Sequence, residues 1–228
     1  MSANVESMFS VRETPWHGLG TVIQDAVNSE EALKLAGLDW EIIQVPVEYK
    51  GIATGHQFNI RSSDDTVMGV VGARYKPVQN KDAFAFTDEL IGGDVRYETA
   101  GSLQNGKRVW MLAKMEERRI LDDAVEPYLC LTNSHDGFSS MKVCMTPVRV
   151  VCQNTLNLAL NSAKRTWNVR HSGNIEGKIA EAKHTLGLAN AYMDQFAMEA
   201  EELYKIKVAP KDFKEMTEAL FPITAEMS

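Results

Sequence analysis

The chain has 228 residues, 44% hydrophobic and 24% charged, with a formal net charge of −7, a globular composition that excludes intrinsic disorder and permits a sizeable core. No apolar run approaches the roughly 18–20 residues that span a bilayer, and the first eleven residues lack a basic region followed by an apolar stretch, so neither a membrane segment nor a signal peptide is expected. Three cysteines, Cys130, Cys144 and Cys152, cannot all pair within one chain, and they read as small buried apolar groups in a reducing compartment.

Met1 to Gln24, punctuated by Pro15, Gly18 and Gly20, reads as irregular. Asn28 followed three residues later by Glu31 is an N-cap signature, so a short helix runs through Ala36 and stops at Gly37. Trp40 to Glu48 reads as a strand that Pro46 confines to a sheet edge. Phe58 to Ile60 and Val67 to Val71 flank the polar run 61–65 and predict a hairpin. Lys81 to Ile91 predicts a short helix ended by Gly92 and Gly93. Two more hairpins follow. Val95 to Leu103 and Arg108 to Met115 flank Asn105-Gly106, and Tyr128 to Asn133 and Phe138 to Val143 flank Asp136-Gly137. Both dipeptides favour the positive φ of a tight turn. After Pro147, Val150 to Arg165 turns helical, with Cys152, Leu156, Ala159, Leu160 and Ala163 as its apolar stripe. Strands that meander before a helix predict an α+β fold, an antiparallel sheet of hairpins with helices packed on one face, in a core domain over residues 1–170.

Residues 171–228 predict a helical appendage. Ile175, Ile179, Ala182, Leu186, Ala189, Met193, Phe196, Ala200 and Leu203 alternate steps of four and three, a heptad stripe on a long helix over about 174–206. Pro210 ends it, and a short helix over about 211–220 carries Phe213, Met216 and Leu220. A single helix cannot cover its own stripe. The appendage therefore lies along the sheet domain or along a second copy of the chain.

The charge is unevenly spread. Residues 1–140 carry a net −8, residues 141–185 a net +5 and residues 186–228 a net −4. Because screening limits each charge to a reach of about 8–10 Å, a local basic patch can bind phosphate on an acidic protein. Asn154, Asn157, Asn161 and Lys164 recur at helical spacing, with Arg165 beside them, Arg149 ahead and Arg170 beyond. Asparagine costs about 0.6 kcal/mol relative to alanine inside a helix, so three on one face need a reason. Two readings stand open: the amides bond the sheet's own backbone, or they form a donor-rich surface for phosphates and bases. Trp167, between Arg165 and Arg170, is a candidate for base stacking under the second reading and a core residue under the first. Arg74-Tyr75-Lys76 mixes cation and aromatic and is a second candidate surface, against the plainer reading of turn-flanking charge.

Catalytic chemistry finds no pattern. Trp16-His17-Gly18-Leu19-Gly20 lacks the third glycine and the preceding strand of a dinucleotide loop and reads as a tight turn. Asn133-Ser134-His135-Asp136 gathers triad residue types, but consecutive residues cannot adopt triad geometry. The cysteines and His135 lack zinc-site spacing, and His17, His56, His171 and His184 are scattered singly. The expectation is a protein that is not an enzyme and uses no cofactor or metal.

Four blocks, Pro15 to Gly20, Tyr75 to Asn80, Glu98 to Gly101 and Val148 to Leu156, resemble in order the signature segments of a family of phage- and plasmid-associated bacterial proteins catalogued as domain of unknown function 932. The resemblance implies a mobile-element origin and a bacterial cytoplasm, and it supplies no activity. At the level of topology only, hairpins followed by a helix are similar to the single-strand annealing proteins of the Rad, Red-beta and RecT kind. That similarity implies a homo-oligomer, ring or filament, holding single-stranded DNA without metal or nucleotide. Under it, Arg149, Lys164, Arg165 and Arg170 neutralise phosphate, Asn154, Asn157 and Asn161 donate hydrogen bonds, and the heptad helix joins copies. The alternative is an inhibitor or adaptor that acts on a host complex through its acidic ends.

Overall fold

The computed structural model describes residues 4–92, 95–115, 117–120, 123–163, 166–172 and 176–220. In chain order these form β1 (Val5–Val11), β2 (Thr21–Ile23), α1 (Ser29–Leu35), β3 (Ile42–Tyr49), β4 (Ile52–Arg61), β5 (Val67–Gly72) and α2 (Asn80–Ile91). Then come β6 (Tyr97–Leu103), β7 (Arg108–Lys114), β8 (Arg118–Ile120), β9 (Asp123–Val125), β10 (Tyr128–Ser134) and β11 (Met141–Thr146). The chain continues through α3 (Gln153–Ser162), β12 (Thr166–Val169), α4 (Ile179–Tyr204) and α5 (Pro210–Leu220).

The α+β class is as expected. Seven strands form one sheet in the order β12-β11-β10-β7-β6-β1-β2, antiparallel except where β2 runs parallel to β1 at the edge. β3, β4 and β5 form a separate antiparallel sheet, with the Pro46 strand at its edge as predicted. The α1 cap is also as predicted: the Asn28 carboxamide accepts from the Glu31 amide at 3.0 Å, and Gly37 stands at φ +64°. The Asn105-Gly106 turn joins β6 to β7 with Gln104, Asn105 and Gly106 all at positive φ.

Period-two alternation along the central strands feeds two cores. Phe9, Tyr97, Met111, Leu129, Leu131, Val143 and Trp167 face the layer that α1, α2 and the start of α4 cover, together with Phe84 and Ala182. Met8, Leu103, Trp110, Leu112, Cys130 and Cys144 face the opposite layer, where α3 contributes Leu156 and Ala159. The helices thus divide over both faces, with α3 the one helix that contributes to the second core among the described residues. That explains why β6 and β10 are buried at every residue.

Three local readings are corrected. Residues 1–24 are not wholly irregular, since β1 lies between β6 and β2; a bulge at Val5–Ser7 interrupts its alternation and hides the strand in the sequence. β11 starts at Met141 rather than Phe138, which leaves Phe138 on the hairpin tip. The helix after Pro147 is shorter than predicted, and residues Thr166–Val169 instead extend the sheet as β12.

α4 follows a single 3-10 turn at Glu176–Lys178. Ala182 of the predicted heptad stripe is fully buried, whereas Leu203, at the far end, is exposed beside Tyr204. Ile175 lies outside the described residues, as do the side chains of Ile179, Leu186, Ala189, Met193 and Phe196. Among the described residues no helix is long and apolar enough to cross a membrane.

Candidate nucleic-acid interface

The residues singled out in the sequence divide into three groups. Asn154, Asn157 and Asn161 sit on the solvent face of α3 and are exposed, with Leu156 and Ala159 beneath them. Gln153 donates to the Asn157 carboxamide oxygen at 2.9 Å, so part of the amide row is braced within the helix. Arg74, Lys76 and Arg170 are also exposed. Lys164 and Arg165 lie outside the described residues.

Two expectations are overturned. Arg149 is not a free cation: its guanidinium donates to the buried Glu98 carboxylate, to Ser10 Oγ at 3.2 Å and to the Val11 carbonyl at 2.5 Å, with Glu13 at 3.5 Å. It precedes α3 and points back at β1 and β6 instead of along the amide face. Trp167 is 3% exposed and stacks on Phe86 at 5.1 Å with 15° between the planes. β12 adds a strand to the sheet edge and turns this indole into the first core, so no base can reach it.

What the fold assembles instead is a cleft of about 920 Å³ where three loops meet. Arg74 and Tyr75 come from the segment after β5, Phe138, Ser139 and Ser140 from the β10–β11 tip, and Asn168, Arg170 and His171 from β12 and its continuation. A smaller pocket of about 150 Å³, lined by Arg108, Lys142, Asn157 and Asn161, shares Ser139 and Ser140 with it. Arg108 donates to Ser139 Oγ at 3.0 Å, and Lys142 stands opposite Asn168 in the β11–β12 ladder. The amide face of α3 and the Arg74 loop, unrelated in sequence, therefore each line a pocket that Ser139 and Ser140 also line. Phe138, 91% exposed, stands on it.

The floor of the cleft is a buried polar cluster. His171, 7% exposed, stacks on Tyr75 at 4.7 Å and 20°, and its carbonyl accepts from the Lys76 amide at 2.8 Å. The Tyr75 hydroxyl donates to the Ser134 carbonyl at 3.0 Å, and burial pushes its pKa up. Behind them His135 is fully buried, in contact with Asn80 Oδ1 through Nε2 at 3.0 Å, while Asn59 donates to its carbonyl at 2.8 Å. Asn133 Oδ1, His135 Nδ1 and both ring nitrogens of His171 have no hydrogen-bond partner at good geometry. The backbones of Lys76 and Ser139 lie close enough only to oppose the shift of the His171 ring. Histidines that read as isolated in sequence are thus neighbours in the fold. Among the described residues no group of three or more His, Cys, Asp or Glu is placed to hold a metal ion.

Burial, and then the nearby His171, depress the His135 pKa to about 3; burial lowers that of His171 as well. An unfolded histidine binds its proton near pH 6.5, so between there and pH 3 the unfolded state holds more protons than the folded one. Stability must therefore rise with pH across this window. From pH 7 to pH 5, His135 alone removes about 2 kcal/mol, and His171 acts in the same direction. Urea denaturation at the two pH values measures the loss, and His135→Gln should flatten it.

Phe138, Arg108, Lys142 and His171 were not among the residues singled out. Phe138 directly follows the Asp136-Gly137 turn, a large apolar residue where strand pairing has not begun, and that was the available signal. Arg108 belongs to the site because β7 pairs with β10, and Lys142 and His171 because β11 pairs with β12, neither of which a local pattern announces.

A family model described as Domain of unknown function (DUF932) matches residues 67–228, a span that takes in every residue lining the cleft. Compared with the curated proteins and with the solved structures, the chain matches none.

Proposed function

The chain belongs to the family described as domain of unknown function 932, and from that premise and the cleft geometry we propose that it binds single-stranded DNA and promotes strand annealing in a phage or plasmid, as an oligomer needing neither metal nor nucleotide. The observation that carries this reading is the shared Ser139–Ser140 wall. It joins Arg74, Arg170, Arg108 and Lys142 to the Asn157 and Asn161 amides and to the exposed Phe138 in a single band. A strand laid along that band meets cations for its phosphates, carboxamides for sugar and base edges, and an aromatic face, the combination that sequence-tolerant single-strand binding requires. Self-association is supported by the apolar residues that α4, α5 and their connection leave exposed, among them Met198, Leu203, Ile206 and Phe213.

Anisotropy of a labelled oligonucleotide tests it. With three or four phosphate contacts, the logarithm of affinity falls against the logarithm of salt with a slope between roughly −2 and −3. Arg74→Gln combined with Arg170→Gln makes the slope shallower by about 1.4. Absence of binding at low salt overturns the proposal.

A second reading, an adaptor that docks on another protein, draws on the outer face of the small sheet. There Ile43, Ile60 and Val67 form one cross-strand row, Val45, Phe58 and Val70 the next, and the edge members are exposed. The Arg74 and Arg170 replacements weaken DNA binding and flatten its salt dependence under the first reading and leave adaptor docking untouched under the second.

A further inference from the structure

We infer that the smaller pocket is a site for one terminal phosphate, the monoester that a DNA strand carries at a phosphorylated end, held between Arg108 and Lys142 against the carboxamides of α3. This deepens the single-strand reading and rests on it for the source of the phosphate. The warrant is that the fold gathers donors and unopposed positive charge around a space the size of one group.

The two cations stand on opposite sides of one strand. Arg108 of β7 pairs with Ser134 and Lys142 of β11 with Thr132, and β10 runs between them. They are therefore about 10 Å apart across the sheet, a gap that two long side chains can close on a common ligand. Their register turns both to the face that α3 covers, which Trp110, Cys130 and Cys144 share. Both are half-buried. Among the described residues neither forms an ion pair, and no Asp or Glu lines the pocket.

The hydrogen bonds already made leave donors over. Ser139 Oγ accepts from Arg108 at 3.0 Å, so the hydroxyl keeps its own proton to give, and the guanidinium keeps its remaining N–H groups. The Asn157 carboxamide oxygen accepts from Gln153 at 2.9 Å, so the NH2 group is what that side chain still offers. Asn161 lines the same pocket one turn further along α3. Leu160 beside it, packed against the second core, adds an apolar wall that weakens the screening of charge inside.

Size and charge select the monoester. At about 150 Å³ the pocket is well below the about 300 Å³ at which sites for whole small molecules begin, so it admits a phosphate and excludes the sugar and base behind it. Arg108 and Lys142 present two positive charges. A terminal phosphate at pH 7 brings a charge of about −1.5 to −2 and three acceptor oxygens. A phosphodiester within a strand brings a single charge, and its chain must lead both in and out.

The test is anisotropy of the full chain at pH 7 with one internally labelled oligonucleotide in three forms: 5′-phosphorylated, 3′-phosphorylated, and with hydroxyls at both ends. A phosphorylated form should bind about 10-fold or more tighter than the hydroxyl form, the size of one charge-assisted hydrogen bond. Its salt slope should be steeper by about 0.7, for one more phosphate contacted. Inorganic phosphate should compete this preference away where chloride at equal ionic strength does not. Lys142→Gln, and Asn161→Asp at an exposed position of α3, should each remove the preference, with urea midpoints checking that both variants fold. Arg74→Gln with Arg170→Gln, in the larger cleft, should weaken all three forms alike and keep the preference. Equal binding of the three forms overturns the inference and leaves the single-strand reading standing. A preference that survives both Lys142→Gln and Asn161→Asp overturns it too, because the end is then read elsewhere. If no form binds at low salt, both readings fall together.

Discussion

Glu98→Ala should lower the stability of the protein by about 3–5 kcal/mol, the cost typical of breaking a buried ion pair on one side. Glu98 is 2% exposed, yet it faces two guanidinium groups, from Arg12 on the surface and from the largely covered Arg149. Removing the carboxylate leaves Arg149 with Ser10 Oγ and the Val11 carbonyl, two neutral acceptors, and with the solvent-screened carboxylate of the exposed Glu13 at 3.5 Å. The neighbouring bonds lie on the same brace: Thr99 Oγ1 donates to the Val150 carbonyl at 2.6 Å and accepts from the Trp110 indole at 3.2 Å. A loss of this size is a large part of the 5–15 kcal/mol that holds a typical domain together. Urea denaturation measures it. The double replacement Glu98→Leu with Arg149→Met should recover most of the loss, because it removes both charges together. An unchanged midpoint for Glu98→Ala would show that solvent already screens the pair.

Gly101→Ala should also be poorly tolerated. A Cβ at Gly101 would stand 2.2 Å from the Ser7 carbonyl oxygen and 2.6 Å from both Met8 Cβ and the Trp110 ring. The first obstacle is backbone of β1, which is bonded to β6 on one side and to β2 on the other and cannot retreat. Overpacking a full core typically costs 1–3 kcal/mol, and contact this close with a pinned strand puts the expected cost at about 3 kcal/mol or more. Gly72→Ala is the control. Nothing lies within 4 Å of its added methyl, so its midpoint should move by no more than about 0.5 kcal/mol. Thermal melts of the two variants, run side by side, should separate them clearly.

Much of the fold was legible in the sequence because its signals are local. The Asn28 cap, the Pro46 edge strand and the Asn105-Gly106 turn each depend on a few adjacent residues, and each appears where predicted. β1 was hidden because its bulge breaks the alternation that marks a strand. β12 was hidden because four residues are too few to show a period. The site was harder to read for a different reason. Sequence neighbours are not spatial neighbours here: Arg149 and Trp167 flank the α3 amides along the chain, whereas in the fold one is tied to Glu98 and the other stacked on Phe86. The cleft draws on three separate loops, and only the pairing of β10, β11 and β12 brings them together.

Three of the four blocks that carry the family resemblance touch one another. His17 Nε2 lies 2.8 Å from the Val151 carbonyl, Glu98 holds Arg149 and Thr99 bonds Val150, whereas Asn80 of the fourth block reaches outside them, to the Leu38 carbonyl and His135. Each of these contacts is a joint, at which changing one partner strands the other.

The family match opens at residue 67, whereas β1, β3 and β4 all precede it. A truncated chain starting there would strip β6 of its neighbour and leave β5 with no ladder, baring two rows of unsatisfied amides and carbonyls. It would also delete Phe9 from one core and Met8 from the other. Such a piece invites edge-to-edge aggregation, so trimming for expression or crystallisation should respect the sheet and retain the stretch from Asn4 onward.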